Sequence, residues 1–450
     1  MNSGIDISTE SGSRALAKLW KQGLSAIRSR DLSVVTFGVF LRTVAAFAFA
    51  KLTAAFLGPV AYATYGHFYM VATYLVTASS LGLANAFTVY IARDNKIEEE
   101  ADSRARAVTA LGAAGGGLTG VALLGLFFVD RHGALLPYIR GWSLSWWFVF
   151  CMIVAVGSAI QSVLLGKQQH ARYQMVMALN PLVSCVALVV AVAFGPISPT
   201  IAILTYMLGF AVPLVAFPSM IASVASVQRG AMASVIRFSI PYLVPSLLIP
   251  TVATFSILSV RYVIASHVST YNLGLWQALW RISEGYMGAL ISVGTALFLP
   301  RFSRVATQSE AWKSLAQSAI MLTGLYLPLA ICFIAFPRFV LTLLLSAQFS
   351  PLASLMPVQI CGDVLKILCF LLELFFTSIL APKTALLGEF VFSGAFLALS
   401  LMIVSNLHSP LGAVWSYTLS YALVVCMLLP LAWRHIRTLP LVRPADGNAL

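Results

Sequence analysis

The chain has 450 residues, of which 60% are hydrophobic and only 10% are charged, and its mean hydropathy is +0.90. Water-soluble domains carry about 25% charged residues, so this composition excludes an ordinary soluble protein. The net charge of +13 fits basic loops that face a cytoplasm, and it does not require nucleic acid as a partner.

The first 30 residues are polar and mixed in charge, and they lack an apolar core with a small-residue cleavage site. No cleaved signal peptide is therefore predicted, and residues 1–30 are expected to form a cytoplasmic segment. The six cysteines all lie in apolar segments without a CxxC pair. This pattern predicts no disulfide framework, no metal site and no cofactor.

Apolar runs of about 20 residues predict an all-α polytopic membrane protein with about twelve transmembrane helices. In chain order, the predicted spans are 33–57, 65–91, 107–129, 143–165, 173–194, 200–222, 239–264, 273–299, 316–336, 354–380, 384–405 and 410–432.

The connection between the sixth and seventh spans divides the chain into two six-helix halves, a common plan for transporters with a central cavity. The predicted halves are 31–225 and 239–433, joined by a cytoplasmic linker at 226–238 and followed by a cytoplasmic tail at 434–450. Of the 28 lysines and arginines, 20 fall on the side of the termini, three on the other side and five inside spans. This asymmetry predicts that both termini are cytoplasmic.

Motifs of soluble catalysis are absent from the sequence. Neither GxxxxGK[ST] nor HExxH occurs, and no extramembrane connection is long enough to form a separate domain. The sequence therefore predicts a transporter rather than an enzyme. A glycan polymerase or glycosyltransferase is a rival, but it is expected to need a larger outer loop.

The first span carries Arg42 near its middle and Lys51 nine residues further on. In a straight helix these side chains point to opposite faces, so Arg42 is the stronger candidate for binding an anion. Lys51 is included as a second candidate if the helix bends; the alternative is that it reaches the headgroups from near the span's end.

The seventh span contains Pro241, Pro245 and Pro250, followed by Arg261. Interior prolines remove backbone hydrogen bonds and favour kinks, so these three are predicted to form a hinge, with a plain bent helix as the alternative. Arg261 is a further candidate for substrate binding. Because it lies close to the end of the span, snorkelling to the membrane surface is its default explanation.

The eighth span places Arg281 and Glu284 three residues apart, on one helical face. Arg281 is predicted to bind substrate, and Glu284 to take part in ion coupling. Trp276 and Trp280 precede them. Trp276 is a candidate for stacking on sugars, although tryptophans near a helix end are more often interface anchors.

The tenth span places Asp363, Lys366, Phe370 and Glu373 along one face about 15 Å long. The functional interpretation is a polar wall in which Asp363, Lys366 and Glu373 couple transport to an ion. The alternative is an internal salt bridge between Asp363 and Lys366. Glu389, at the boundary of the eleventh span, is not counted as a site residue.

The eight charges inside spans comprise five basic and three acidic side chains, a formal sum of +2. A charge at the middle of a membrane helix costs about 2.5–3.5 kcal/mol, so such residues indicate function. A net-positive interior predicts a transporter that attracts an anion.

Three groups of short segments carry a resemblance to a known family. They are Gly274–Leu275–Trp276–Gln277 with Ile282–Ser283–Glu284–Gly285–Tyr286 and Leu299–Pro300–Arg301–Phe302–Ser303–Arg304; Gln348–Phe349 with Gly362–Asp363–Val364–Leu365–Lys366; and Lys51 with Gly58–Pro59. They resemble Wzx-type lipid-linked oligosaccharide flippases, the lipid III and O-antigen translocase group of the multidrug/oligosaccharidyl-lipid/polysaccharide exporter superfamily. Arg42 and Glu284 keep the charge of the Lys and Asp expected there, whereas Arg281 replaces a small polar residue.

The resemblance implies transport of an undecaprenyl-pyrophosphate-linked glycan across a bacterial inner membrane, from the cytoplasmic to the periplasmic leaflet. It implies H⁺ or Na⁺ as coupling ion, membrane lipids as surroundings and the glycan polymerase of the same pathway as a further partner. The alternative within the superfamily is a proton- or sodium-coupled multidrug antiporter. Its cationic substrates predict a net acidic cavity, against which the +2 sum counts.

Overall fold

In the computed structural model, the described residues are 30–92, 98–129, 144–303, 305, 307–378 and 382–439. Within these ranges the regular structure is helical throughout, as the sequence predicts. The predicted N-terminal segment 1–30 lies almost wholly outside the described residues, as does the end of the predicted tail, 440–450.

The α-helices are α1 (Arg30–Ser79), α2 (Ala84–Ala92), α3 (Glu98–Val129), α4 (Leu144–Gly166), α5 (His170–Ala193), α6 (Pro199–Gly209), α7 (Val212–Ala216), α8 (Pro218–Ala222), α9 (Arg229–His267), α10 (Thr270–Phe302), α11 (Gln308–Ala335), α12 (Pro337–Leu344), α13 (Met356–Ser378), α14 (Pro382–Leu407) and α15 (Pro410–Arg437). Short 3₁₀ helices occupy Ser223–Ser226 and Ala347–Ser354.

Ten helical stretches in the described part of the chain are long and apolar enough to cross a membrane. The chain is therefore a multi-pass membrane protein. One stretch, Phe37–Ala92, has 56 residues, which at about 1.5 Å per residue exceeds twice the bilayer core of about 30 Å. The ten do not include α13, whose 23 residues carry three charged side chains. The total of twelve stays a prediction.

The long helix α1 is interrupted at Gly58, where φ is 64° and ψ is 172°. Residues that carry a side chain rarely adopt this left-handed φ, whereas glycine does so without a steric cost. The Gln348 side-chain oxygen also lies 2.6 Å from the point where a Cβ would stand. Gly58 thus lies at the predicted end of the first span and leaves room for a contact from the other half of the chain.

Contacts with α10 show that the chain reverses direction within α1. Before the reversal, Phe47 lies against Gly285 and Pro59 against Gly274, so the two helices run antiparallel. After it, Gly66 lies against Gln277, and Tyr69 lies against Arg281, so they run parallel. Two passes of α1 therefore pack on one helix of the other half. Glycines at these contacts let the backbones approach closely, as is typical of helix packing in membranes.

The helix α9 belongs to two hydrophobic clusters. Val235 near its beginning is buried with Phe87 of α2, whereas Val260 and Ile264 near its end are buried in the main core, which helices of both halves build. Tyr90 of α2 also donates to Ser234 Oγ at 3.0 Å. The helix therefore bridges the two predicted halves.

Candidate functional site

Arg281 of α10 projects across the boundary between the halves into tyrosines of α1. Its Nη1 donates to the Tyr69 hydroxyl, and its Cζ lies 3.9 Å from the centroid of the Tyr69 ring. A guanidinium over an aromatic face gains both a hydrogen bond and a cation–π attraction. One side chain thus links the two halves through neutral groups.

Further tyrosines extend this contact into a tyrosine cluster, defined as Tyr62, Tyr65, Tyr69 and Tyr206. Ring centroids lie 5.5 Å apart for Tyr62 and Tyr65, 6.0 Å for Tyr65 and Tyr69, and 5.0 Å for Tyr69 and Tyr206. Of the four, Tyr69 contacts Arg281 directly, and Tyr65 and Tyr206 pack on Tyr69. The cluster therefore places packed aromatic rings at the guanidinium.

No carboxylate among the described residues forms an ion pair with Arg281. The ion pairs in the described part of the chain are Glu100–Arg104 and Asp102–Lys167, both with exposed carboxylates. Glu284, one turn away on α10, is half-buried and likewise has no side-chain hydrogen bond to a described residue. The positive charge of Arg281 is therefore not cancelled locally.

Arg42 and Lys51 point to different neighbours, as their spacing predicts. Arg42 is half-buried and lies within electrostatic range of Tyr173 on α5. Lys51 Nζ donates to the Leu343 carbonyl at 2.6 Å, at the C-terminal end of α12. A lysine there satisfies a free helical carbonyl and interacts favourably with the helix dipole.

The structure does not bring Arg42 into contact with Arg281. The contact of Phe47 with Gly285 fixes a common level for α1 and α10. Because the helices are antiparallel, Arg42 lies below this level and Arg281 above it, as seen along α1. At about 1.5 Å per residue, the two lie about 13 Å apart along the helix axes. Two separate positive positions therefore follow one another along the predicted transport direction.

Arg261 is fully buried, with 0% of its surface exposed. Its Nη2 donates to the Ala63 carbonyl at 2.8 Å and its Nε to His67 Nδ1 at 3.4 Å. The default explanation from the sequence, snorkelling to the membrane surface, is therefore wrong, because the guanidinium turns inward. Arg261 joins α9 to the second pass of α1.

Trp276 is also buried, with 1% of its surface exposed, so it is not an interface anchor. Its ring lies 5.2 Å from that of Trp280, which stacks on Phe396 of α14 at 5.8 Å. In this conformation the Trp276 ring is enclosed in the main core and offers no open face to a sugar.

Asp363 of α13 is fully buried and accepts hydrogen bonds from side chains on four helices. Its Oδ1 accepts from Ser283 at 2.7 Å, Tyr417 at 2.8 Å and Gln359 at 3.1 Å. Its Oδ2 accepts from Tyr286 and, at 3.4 Å, from Tyr326. These five donors are called the Asp363 donor set below.

The alternative of a salt bridge between Asp363 and Lys366 is not observed. Lys366 forms no ion pair or side-chain hydrogen bond with a described residue, and its Nζ lies 6.0 Å and 5.9 Å from the ring centroids of Tyr417 and Tyr421. Asp363 is closed off from solvent, so in this conformation that end of the stripe does not line an open cavity.

Glu373, at the other end of the stripe, faces α14. Its Oε1 lies 2.8 Å from the point where a Cβ on Gly388 would stand and accepts from Cys369 Sγ at 3.4 Å. The neighbouring Glu389 accepts from Ser393 at 3.4 Å and lies within electrostatic range of Glu373. Glu389 is the residue that the sequence analysis missed. Its charge was visible, but only the packing of α13 on α14 places Gly388, the residue before it, against Glu373.

The three prolines lie in the middle of α9, between its two hydrophobic clusters. Pro241 is exposed, and Pro245 and Pro250 are half-buried. The helix continues through all three positions. The location suits a hinge, which stays a prediction.

Comparisons with known proteins agree with this architecture. No family model matches the chain. The chain is 22% identical over 210 residues to the lipid III flippases of Escherichia coli (strain K12) and Shigella flexneri, which covers 46% of this chain and 49% of each relative. The chain thus spans about half the length of the curated relatives it matches.

Solved structures show the fold over most of the chain. An inward-facing MATE family multidrug resistance transporter of the MOP superfamily matches with a TM-score of 0.66 and 15% identity, covering 89% of this chain and 98% of that one. The lipid II flippase MurJ, in an inward closed conformation, matches with a TM-score of 0.61 and 13% identity, covering 89% and 87%.

A further match is a MOP superfamily transporter from Pyrococcus furiosus, with a TM-score of 0.64 and 14% identity, covering 90% of this chain and 94% of that one. These relatives are flippases and transporters rather than enzymes, as the sequence predicts. The predicted resemblance to lipid-linked oligosaccharide flippases and the all-helical membrane fold are confirmed.

Proposed function

We propose that this protein flips an undecaprenyl-pyrophosphate-linked oligosaccharide, such as lipid III or an O-antigen repeat unit, by alternating access. Transport would run from the cytoplasmic to the periplasmic leaflet of a bacterial inner membrane, with both termini cytoplasmic. The partial match to lipid III flippases and the fold shared with a lipid II flippase support this proposal.

The observation that carries the proposal is the uncancelled charge of Arg281 between the halves. Its partners among the described residues are neutral tyrosines, so binding an anion there does not require breaking an ion pair. Arginine binds phosphate oxygens through charge-assisted hydrogen bonds, which are about twice as strong as neutral ones. A pyrophosphate would therefore displace the Tyr69 hydroxyl, because the hydrogen bond that Arg281 gains is stronger than the one that it loses.

Arg42 supplies a second position about 13 Å away along the axes, estimated from the helical rise. In the proposed cycle the pyrophosphate is drawn in near Arg42 and passes to Arg281. Lys51 and Arg261 act differently in this proposal, because both join α1 to the C-terminal half. They hold the halves together at the end where Pro59 meets Gly274 and release when the halves separate.

Ion coupling by H⁺ or Na⁺ is assigned in this proposal to the acids of the C-terminal half, with Glu284 beside the substrate path. The prolines of α9 would let its two ends follow different halves during the change. The glycan polymerase of the same pathway is the proposed recipient of the flipped glycan.

A multidrug antiporter is the second candidate, and the shared fold with a multidrug transporter favours it. Such a protein needs an acidic site for cationic drugs at the boundary of the halves. The described side chain that crosses this boundary at the tyrosine cluster is instead a guanidinium, which repels cations.

Complementation distinguishes the two functions. The chain is expressed in a strain lacking its lipid III flippase, in one lacking its O-antigen flippase, and in a drug-sensitive strain lacking its efflux pumps. Rescue of glycan display in either flippase mutant is expected, with no gain of drug resistance. Drug resistance without glycan rescue would overturn the proposal.

Two variants then test the site. Arg281→Gln removes the charge and is expected to abolish rescue at normal protein levels. Arg172→Gln is the matched control, because Arg172 is exposed and, among the described residues, donates only to Gln169 at 3.1 Å. Wild-type rescue by Arg281→Gln would remove Arg281 from the anion site.

A further inference from the structure

The ends of α11 and α15 adjoin at the membrane face that is predicted to be cytoplasmic. Gln308, the first residue of α11, donates from its Nε2 to the carbonyl oxygens of Arg437 at 3.1 Å and Leu439 at 2.9 Å. One helix therefore leaves this face where the other reaches it. Residues equally far from the two helix ends lie at similar depths in the membrane.

Three basic side chains are exposed around this junction. They are Lys313 near the beginning of α11, and Arg434 and Arg437 in the last turn of α15. None of the three forms an ion pair or a side-chain hydrogen bond with a described residue, whereas Arg104 and Lys167 at the same predicted face each pair with a carboxylate. The junction thus carries three positive charges without a carboxylate partner in the described part of the chain.

The helix dipole accounts for only part of this arrangement. Cations in the last turn of a helix interact favourably with its dipole, which suits Arg434 and Arg437. The beginning of a helix favours acidic side chains instead, so the dipole gives no reason for Lys313. A partner with negative charge explains all three positions.

Two tryptophans lie one helical turn closer to the membrane interior. Each is four residues from its helix end, Trp312 on α11 and Trp433 on α15, which places both about 6 Å from the junction. Their side chains are 36% and 43% exposed, and the Arg437 Cζ lies 3.6 Å from the centroid of the Trp433 ring. Tryptophan is enriched at the level of lipid headgroups, so this depth places the cations beside the lipid phosphates.

We propose that this junction binds the headgroup of an anionic phospholipid. The binding site, called the basic corner, consists of Lys313, Arg434, Arg437, Trp312 and Trp433. Its cations bind the lipid phosphate through charge-assisted hydrogen bonds, and its indole rings lie against the glycerol and the upper acyl chains. A soluble phosphate would use the charges but not the rings, so a lipid fits these residues better.

The basic corner lies at one end of the C-terminal half, away from the tyrosine cluster, so its test needs no transport. Native mass spectrometry of the full chain in detergent micelles measures the affinities for phosphatidylglycerol, which is anionic, and phosphatidylcholine, which is zwitterionic, with matched acyl chains. Tighter binding of phosphatidylglycerol is expected. Arg434→Gln combined with Arg437→Gln should weaken it about 25-fold, because each basic side chain near a membrane surface contributes about fivefold. Arg172→Gln combined with Arg229→Gln is the matched control, which removes two exposed cations elsewhere and should retain the wild-type affinity.

Tryptophan fluorescence locates the bound lipid with both arginines in place, and it stays informative if the arginine variant fails to fold. The full chain is reconstituted into phosphatidylcholine bilayers. Brominated phosphatidylglycerol should quench more fluorescence than the same fraction of brominated phosphatidylcholine. The excess should disappear when Trp312→Phe is combined with Trp433→Phe, and it should persist in Trp146→Phe, at an exposed tryptophan of α4.

The proposal would be overturned by equal affinities of the wild type for the two lipids, or by wild-type binding of phosphatidylglycerol in the arginine variant. An equal loss in the control variant would also contradict it, because net charge alone would then decide binding. So would excess quenching that persists without Trp312 and Trp433. Displacement of phosphatidylglycerol by millimolar inorganic phosphate would assign the basic corner to a soluble anion instead of a lipid.

Discussion

Replacing Asp363 by alanine is expected to destabilise the protein by about 3–5 kcal/mol, because the donor set loses its common acceptor. Five donors from four helices converge on this carboxylate, and it is fully buried. The carboxylate therefore holds α10, α11 and α15 against α13.

The magnitude follows from counting donors. A buried donor without a partner costs about 1–3 kcal/mol, so five would sum to about 5–15 kcal/mol. Two effects lower this sum. Removing the carboxylate also removes the cost of burying its charge, which is several kcal/mol. Tyr286 and Tyr326, whose ring centroids are 5.6 Å apart, can also bond to each other.

Asp363→Asn should cost less, about 1–2 kcal/mol, because the amide keeps one acceptor oxygen. That oxygen can serve the three donors that contact Oδ1, namely Ser283, Gln359 and Tyr417. The new NH₂ group can donate to the Tyr286 hydroxyl. The order of stability should therefore be wild type, then asparagine, then alanine.

Thermal unfolding in detergent measures this order. Buried Cys369 reacts with a fluorogenic maleimide as the protein unfolds, in a background without the other five cysteines. Scan rates are kept equal, because membrane proteins often unfold irreversibly. Asp102→Ala is the control, since Asp102 is 58% exposed in its pair with Lys167, and such pairs contribute about 0–1 kcal/mol.

An unfolding midpoint for Asp363→Ala equal to that of the wild type would refute the role of the donor set. So would a larger loss in the asparagine variant than in the alanine variant. That second outcome would mean that the added NH₂ group, placed among donors, costs more than the retained acceptor oxygen contributes.

Three other predictions concern orientation, the anion path and the contact between the halves. Reporter fusions after Arg437 should be active only as cytoplasmic reporters, and a periplasmic signal would contradict the predicted topology. Arg42→Ala should abolish flipping while Arg42→Lys retains much of it, measured as glycan display at matched protein levels; equal display by the alanine variant would exclude Arg42. Gly274→Leu should impair flipping, because its side chain would meet the Pro59 carbonyl where α10 touches α1. Cross-linking between cysteines placed beside that contact should fall, and unchanged cross-linking would show that the contact tolerates bulk.

The local sequence was sufficient to predict how charged side chains on the same helix are placed relative to one another. The distance of Arg42 from Lys51, and the shared face of Arg281 and Glu284, follow from the helical repeat alone. The structure agrees, since Arg42 lies near Tyr173 while Lys51 bonds to Leu343. Such predictions hold because the geometry of an α-helix depends little on its surroundings.

Partners across helices were not predictable in the same way. The sequence suggested Lys366 as the partner of Asp363, because the two lie one turn apart. The structure instead gives Asp363 five neutral donors and leaves Lys366 beside the rings of Tyr417 and Tyr421. Glu389 is 16 residues beyond Glu373 in the sequence, so no periodicity links them.

The sequence by itself determined that this is an all-helical membrane protein with a transporter's charge pattern. Apolar runs and intramembrane charges report directly on the cost of transferring each residue into lipid, which is a property of the residue. Only the tertiary structure decided which charges are paired, enclosed or free. That depends on the rotation and depth of each helix against its neighbours, which place Arg261 and Trp276 in the interior and Arg281 among the tyrosines of the other half.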